Sequence, residues 1–231
     1  LFHLHHAERA GKRRWGDKSL HTEHYADRVF AEYPDARIVH MVRDPRDRYA
    51  SVRRRHGQDL SRVGAATGRW RSSMRAARRN LRRHPGRYLV VRYEDIVDDP
   101  EATMQRVCRF AGLDYTPAML AMTGAPDHRD TGGNSSFGDV EVQSISAKAV
   151  GRYRSVLTQG EIAFIQCVVR RDMAVTRYEP ADIGFTLAER ARFALWELPS
   201  QFARMLGATS FEWMQRKRGA RVSAPKHRVA S

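Results

Sequence analysis

Two short apolar runs, each leading into an Asp-Pro pair, constrain this chain more than any other feature. Arg37-Ile-Val-His-Met-Val42 is rich in β-branched residues and reads as a buried strand. Asp44 then stands where an N-cap belongs, Pro45 takes the first helical position, and Asp47 lies three residues past the cap in a capping-box-like arrangement. The pattern predicts a helix running to about Arg55. Tyr88-Leu-Val-Val-Arg-Tyr93 repeats the strand, and Asp99-Pro100 repeats the cap, opening a helix with Val107, Phe110 and Ala111 on one face. Gly112 is its C-terminal stop, with Leu113 placed to fold back on the last turn. Two strands, each followed by a capped helix, predict parallel pairing with right-handed crossovers, hence an α/β layered fold.

The remaining segments fit around these units. Residues 1–16 read as an irregular lead-in, where His3, His5 and His6 would need further ligands to hold a metal; none is expected. Tyr25, Val29, Phe30 and Tyr33 fall at helical spacing between Thr22 and Tyr33. A strongly basic helix is predicted from about Arg69 to Arg83, anchored by Trp70 and ended by His84-Pro85-Gly86. The polar stretch from Gly124 to Gln143 is a loop that either folds over a ligand or is mobile. A short helix follows Ser146, and Thr158 with Glu161 forms a capping box for a helix that turns Ile162, Ile165 and Val169 inward. The domain reading is one α/β unit over residues 1–183, then a basic amphipathic helix and tail over 184–231. That helix is predicted from Thr186 to Leu206 with an interruption at Pro199, and the last dozen residues read as disordered.

Charge narrows the partners. The net charge is +15, and only five of the 41 basic residues are lysines, so the positive groups are mostly planar guanidinium forks suited to oxyanions. A nucleotide, a sulfated or phosphorylated compound, nucleic acid and an anionic membrane surface all satisfy that charge. No segment approaches the ~20 apolar residues needed to cross a bilayer, and the polar start at Leu1 carries no signal-like run. Cys108 and Cys167 fall within helices, away from any CxxC pattern, and are expected to be reduced core residues of a cytoplasmic protein. Phe193, Leu195, Trp196, Leu198, Phe202 and Leu206 lie amid arginines, so the C-terminal helix either packs on the core or makes peripheral membrane contact.

Arg43 ends the first strand at its carboxyl edge, where open α/β sheets bind ligands, and Ser51 lies on the helix that follows. The helix amides and the guanidinium suit a phosphate, but Asp44 and Asp47 would repel an anion on the helix axis. Ser51 is seven residues past the cap, roughly 10 Å along the helix, which favours a grip from the flank. The alternative is that Arg43 pairs with Asp47 while Ser51 is merely solvated.

The run Ile38-Val-His-Met-Val-Arg-Asp-Pro-Arg-Asp-Arg-Tyr-Ala-Ser51 resembles the 3′-phosphate-binding segment of sulfotransferases that use 3′-phosphoadenosine 5′-phosphosulfate (PAPS). Trp15-Gly-Asp-Lys-Ser19 looks like that family's Gly-acid-Lys-Ser/Thr element. Val91-Arg-Tyr-Glu-Asp95 is similar to its Tyr-Glu-Asp segment, and Gly151-Arg-Tyr-Arg154 to its late basic turn. The matches occur in order over about residues 14 to 180. The resemblance implies a P-loop-like three-layer fold, a parallel sheet flanked by helices, and transfer of a sulfuryl group from PAPS without a metal. Arg43 and Ser51 would bind the 3′-phosphate, with Tyr93 toward the adenine and Arg152 adding charge. Lys18 would be catalytic, a fixed ammonium beside the charge that develops on the leaving oxygen. The base that deprotonates a hydroxyl or amine acceptor is not identified, His21 and Asp17 being candidates, and a small molecule, carbohydrate or lipid all fit as acceptor.

The sequence departs from the family pattern in two places. The Gly-rich phosphosulfate loop is absent, so the expectation is a chain truncated upstream, lacking the first strand of its sheet and inactive as it stands. Leu20 stands where many relatives place proline, which bears on how Lys18 is held. Two other readings compete: a nucleic-acid-binding protein using the Arg69–Arg87 stretch, where only Trp70 and Tyr88 offer stacking surfaces, and a P-loop-type phosphotransferase, disfavoured by the same missing loop.

Overall fold

In the computed structural model, described over residues 2–60, 62–120 and 147–222, the two apolar runs form strands β1 (Ile38–Val42) and β2 (Tyr88–Arg92). They pair in parallel, with Ile38 opposite Tyr88 and Val42 opposite Arg92. Ahead of β1 stand helix α1 (Phe2–Arg9), a 3₁₀ turn at Thr22–His24 and helix α2 (Ala26–Glu32). Helices α3 (Pro45–Leu60) and α4 (Val63–Arg83) connect the strands. After β2 come α5 (Tyr93–Asp98), α6 (Pro100–Ala111), α7 (Tyr153–Val156) and α8 (Gln159–Val175), then α9 (Leu187–Arg192) and α10 (Leu198–Val222). The result is the α/β arrangement expected, with helices packed on a small parallel sheet.

The main core gathers Val42, Tyr49 and Ala50 with Trp70 and Met74 of α4 and with Phe164, Ile165 and Val169 of α8. Ile162 and Val169 point inward as their spacing predicts, and Thr158 and Glu161 complete the capping box in both directions. Asp99 caps α6 by accepting from the Ala102 amide, and Gly112 closes it in the left-handed region at φ 64°. The Leu113 amide reaches back to the Cys108 carbonyl at 2.9 Å, the long bond of a Schellman stop, while its side chain stays half exposed.

Several expectations are corrected. The lead-in is not irregular throughout, because Phe2–Arg9 is helical; the side chains of His3 and His6 lie outside the described residues, as does the Gly124–Gln143 loop. β1 is covered on one side only: Val39 and Met41, which alternate onto the other face, are exposed. Helix α4 starts at Val63, six residues before the basic run, because Gly64 and Gly68 weaken the local helical signal while allowing close packing. A Cβ at Gly64 would sit 2.2 Å from the Gln201 carbonyl oxygen, and one at Gly68 2.8 Å from the Met205 side chain, so these two glycines form the notch that receives α10. Cys108 is buried as expected, but Cys167 lies on the exposed face of α8.

The break expected at Pro199 appears as a π turn over Phe193–Glu197, which leaves Pro199 in the first turn of α10 where its missing N–H costs nothing. α10 remains helical to Val222, into the segment expected to be disordered. The side of α10 that carries Met205 packs on α4, while Leu195, Trp196, Leu206 and Trp213 are exposed. Among the described residues no helix is long and apolar enough to cross a membrane.

Candidate functional site

The turn from β1 into α3 is densely hydrogen-bonded. Asp44 caps α3, accepting from the Arg46 amide at 2.8 Å, and also binds the Arg46 guanidinium at 3.0 and 2.6 Å. Arg46 is itself buried: it donates to Gln166 Oε1 at 2.7 Å and the Glu179 carbonyl at 2.8 Å, and lies over the Tyr153 ring at 4.3 Å. Burial works against the Arg46 charge, but the Asp44 carboxylate outweighs it and the guanidinium's pKa is raised. The Asp44 amide donates to Glu94 Oε1 at 3.0 Å, and Glu94 Oε2 accepts from the Tyr178 hydroxyl at 2.8 Å, so the ends of β1 and β2 share one buried carboxylate.

Asp47 does not complete a capping box. Its two oxygens accept from the amides of Gly151 at 2.7 Å and Tyr153 at 2.8 Å, which ties the 149–153 loop to the flank of α3. Burial pushes its carboxyl pKa up, against the pull of those two amides. The competing Arg43–Asp47 pair is therefore not formed. Arg43 donates instead to the Ala149 carbonyl at 2.5 Å, and its guanidinium lies 4.6 Å from the centre of the Tyr93 ring. Its Nε is buried without a hydrogen-bond partner, and among the described residues no carboxylate pairs with it. Trp70 fixes the backbone at this point, its indole N–H donating to the Arg43 carbonyl at 2.9 Å.

Of the five residues singled out from the sequence, Arg43 and Tyr93 are thus in contact. Arg152 sits half buried in the loop that Arg43 touches through Ala149. Ser51 is half buried on α3, one helical turn beyond Asp47 and on the same flank, whereas Arg43 precedes the helix. Lys18 is exposed, on a segment pinned at both ends. Arg14 donates to the carbonyls of Ala111 and Gly112 at 2.7 and 2.9 Å at the C-terminus of α6, and Ser19 bonds Thr22 at 2.8 Å. No contact joins Lys18 to Arg43.

Beside Arg43 opens a small cleft of about 60 Å³ lined by His21, Glu23, His40, Arg48, Arg69 and Glu212, among others. His40 is held neutral-leaning by burial, which lowers its pKa despite the nearby Glu23, and both ring nitrogens are engaged, by the Tyr88 hydroxyl at 2.9 Å and Ser73 Oγ at 3.1 Å. His21, Glu23 and His24 bring their ligand atoms within 4.8 Å of one another. A cation there would face Arg43, Arg48 and Arg69 in the same cleft, a charge balance that works against metal.

Sequence reasoning missed Glu94 as a brace and Arg48 and Arg69 as cleft residues. Glu94 was legible only as part of a motif, and the two arginines were lost among many.

The sulfotransferase family model matches residues 2–117, the half of the chain that contains β1, α3, β2 and α6. Carbohydrate sulfotransferase 2 of Mus musculus and of Homo sapiens is 38% identical over 98 residues, covering 41% of this chain and 17% of the relative. The match thus spans about a sixth of the length of those relatives. Among solved structures, the sulfotransferase domain from the Synechococcus PCC 7002 olefin synthase superposes with a TM-score of 0.61 at 25% identity, over 76% of this chain and 63% of that one. The sulfotransferase domain from the curacin biosynthetic pathway follows at 0.55 and 21%, over 76% and 66%, a likeness of fold. With the family match running through the strand-to-helix turn that carries Arg43, the chain belongs to the sulfotransferase family.

Proposed function

We propose that this chain is a PAPS-dependent sulfotransferase acting on a hydroxyl, with a carbohydrate as the favoured acceptor class because the curated relatives are named for carbohydrates. The observation that carries the reading is Arg43: a half-buried guanidinium at the carboxyl edge of a parallel strand, stacked on Tyr93, with a buried Nε that no protein group satisfies. An orphaned donor on an uncompensated charge is a fit for an anionic oxygen, and a nucleotide phosphate supplies one.

In this reading Arg43 and Ser51 hold the 3′-phosphate from the flank of α3. Tyr93, its face already covered by Arg43, borders the adenine side, and Arg152 adds charge from the loop that Asp47 secures. PAPS, when bound, supplies an activated sulfuryl group and a phosphate leaving group. Lys18 is assigned to stabilise the charge that builds on that leaving oxygen. Its exposed segment would have to bring the ammonium onto the nucleotide, and the pinning of Arg14 and Ser19 limits that movement to the residues between them.

Calorimetric titration with adenosine 3′,5′-bisphosphate tests the reading. Replacing Arg43 by Ala is expected to weaken binding by at least ~1.5 kcal/mol, about tenfold, the low end for a hydrogen bond to a charged group. Equal affinity in the variant removes Arg43 from the site and the donor assignment with it.

A further inference from the structure

The cleft beside Arg43 holds a second cationic pair that the nucleotide reading does not use. Arg48, one residue past Asp47 and on a different flank of α3, faces the same space as Arg69 of α4. Arg48 is half buried, and among the described residues its guanidinium makes no hydrogen bond. Burial and then the like charge of Arg69 push its pKa down, with Glu23 and Glu212 offsetting part of that. Arg69 does have a partner: its Nε donates to Glu212 Oε1 at 2.5 Å, across 143 residues of sequence.

Glu212 is delivered from α10, whose approach to α4 depends on the notch at Gly64 and Gly68. The cleft therefore contains three guanidiniums against two carboxylates, one of those carboxylates brought in from the far end of the chain. Two planar forks on facing helices, one engaged by a carboxylate and the other without a hydrogen bond, match what an oxyanion receives when it bridges two arginines.

We propose that Arg48 and Arg69 form an oxyanion subsite for an acceptor that already carries a sulfate or carboxylate group, and that Glu212 fills this subsite when the acceptor is absent. The acceptor role rests on the sulfotransferase reading above; the anion pair itself does not. Binding is an exchange of one anion for another: the Glu212 carboxylate leaves Arg69, and the incoming group bonds to both guanidiniums.

The test is calorimetry on the full chain with inorganic sulfate and, separately, glucuronate, the first tetrahedral and the second planar. Glu212→Gln removes the competing charge while keeping the size of the side chain, and is expected to tighten at least one of the two anions about fivefold. Adding Arg48→Gln is expected to return the affinity to the starting value or below. Should Arg48→Gln fail to fold, Arg48→Lys, which keeps the charge without the fork, is expected to lose most of the gain. A gain for either anion supports the subsite and identifies the group it takes; no gain for either overturns it. Adenosine 3′,5′-bisphosphate, titrated into the same variants, separates the two sites. Its affinity is expected to drop in Arg43→Ala and to change less than twofold in Arg48→Gln. An equal drop in both merges the cleft with the nucleotide site and overturns the proposal. Should the bisphosphate bind no variant while Glu212→Gln still gains sulfate, the donor reading falls and the anion pair stands.

Discussion

At the end of β1, Asp44 is buried, caps α3 and neutralises a buried arginine; at the start of α6, Asp99 is exposed and accepts only from the Ala102 amide. Both belong to an Asp-Pro pair, and in both the proline fills the first helical position. The two strand ends differ in the same sense. Arg43 and Arg92 each lie over a tyrosine ring, at 4.6 and 4.7 Å, and each has a buried Nε without a partner. Arg92 is nonetheless held by Asp95 at 2.9 Å, whereas Arg43 meets only a carbonyl. One local signal therefore serves two ends: a plain helix start in the second unit, and in the first a rigid platform that leaves one positive charge uncompensated.

The largest expected break in this comparison is between the two caps. Asp44→Ala strands Arg46, which is only 3% exposed, and is expected to cost ~3–5 kcal/mol, the range for removing one partner of a buried ion pair. Asp99→Ala is expected to cost only ~1 kcal/mol, an ordinary N-cap loss. Urea denaturation of both variants decides the matter, and similar losses would mean that the wiring around Arg46 carries no energy.

Asp47 sharpens the comparison at an intermediate scale. Asp47→Ala leaves the amides of Gly151 and Tyr153 without their acceptor and is expected to destabilise by ~1–3 kcal/mol. Hydrogen exchange should speed up at those two amides before it does in α6. Uniform acceleration through both units would count against a dedicated tether.

The smallest effect concerns pH. Burial lowers the His40 pKa, so the folded state prefers the neutral ring. Its contribution is then present above the ordinary histidine value of about 6.5 and is lost as pH falls through the lower folded value. Thermal melts at pH 7 and pH 5 are expected to differ less in His40→Gln than in the wild type; an unchanged difference assigns the acid sensitivity elsewhere.

Much of the framework was legible because its signals are local. The Asp-Pro caps, the Thr158–Glu161 box and the glycine at 112 satisfy backbone groups within a few residues, the β-branched runs are marked by their own composition, and all formed where expected. The errors fall where distant packing overrides the local pattern. Gly64 and Gly68 argue against helix in isolation and are helical because α10 needs the space. Asp47 fits a capping box by spacing, yet its carboxylate is taken by the 149–153 loop, over a hundred residues away.

By itself, then, the sequence determined the strand–helix alternation, the parallel pairing and the position of Arg43 at a strand's carboxyl edge, since periodicity and capping are properties of neighbouring residues. Only the tertiary structure decided which charges are cancelled. Whether an arginine ends opposite a carboxylate, a carbonyl or another arginine depends on which segments the fold brings together. That is why Arg46 and Arg92 are neutralised, Arg43 is not, and Arg69 meets Glu212.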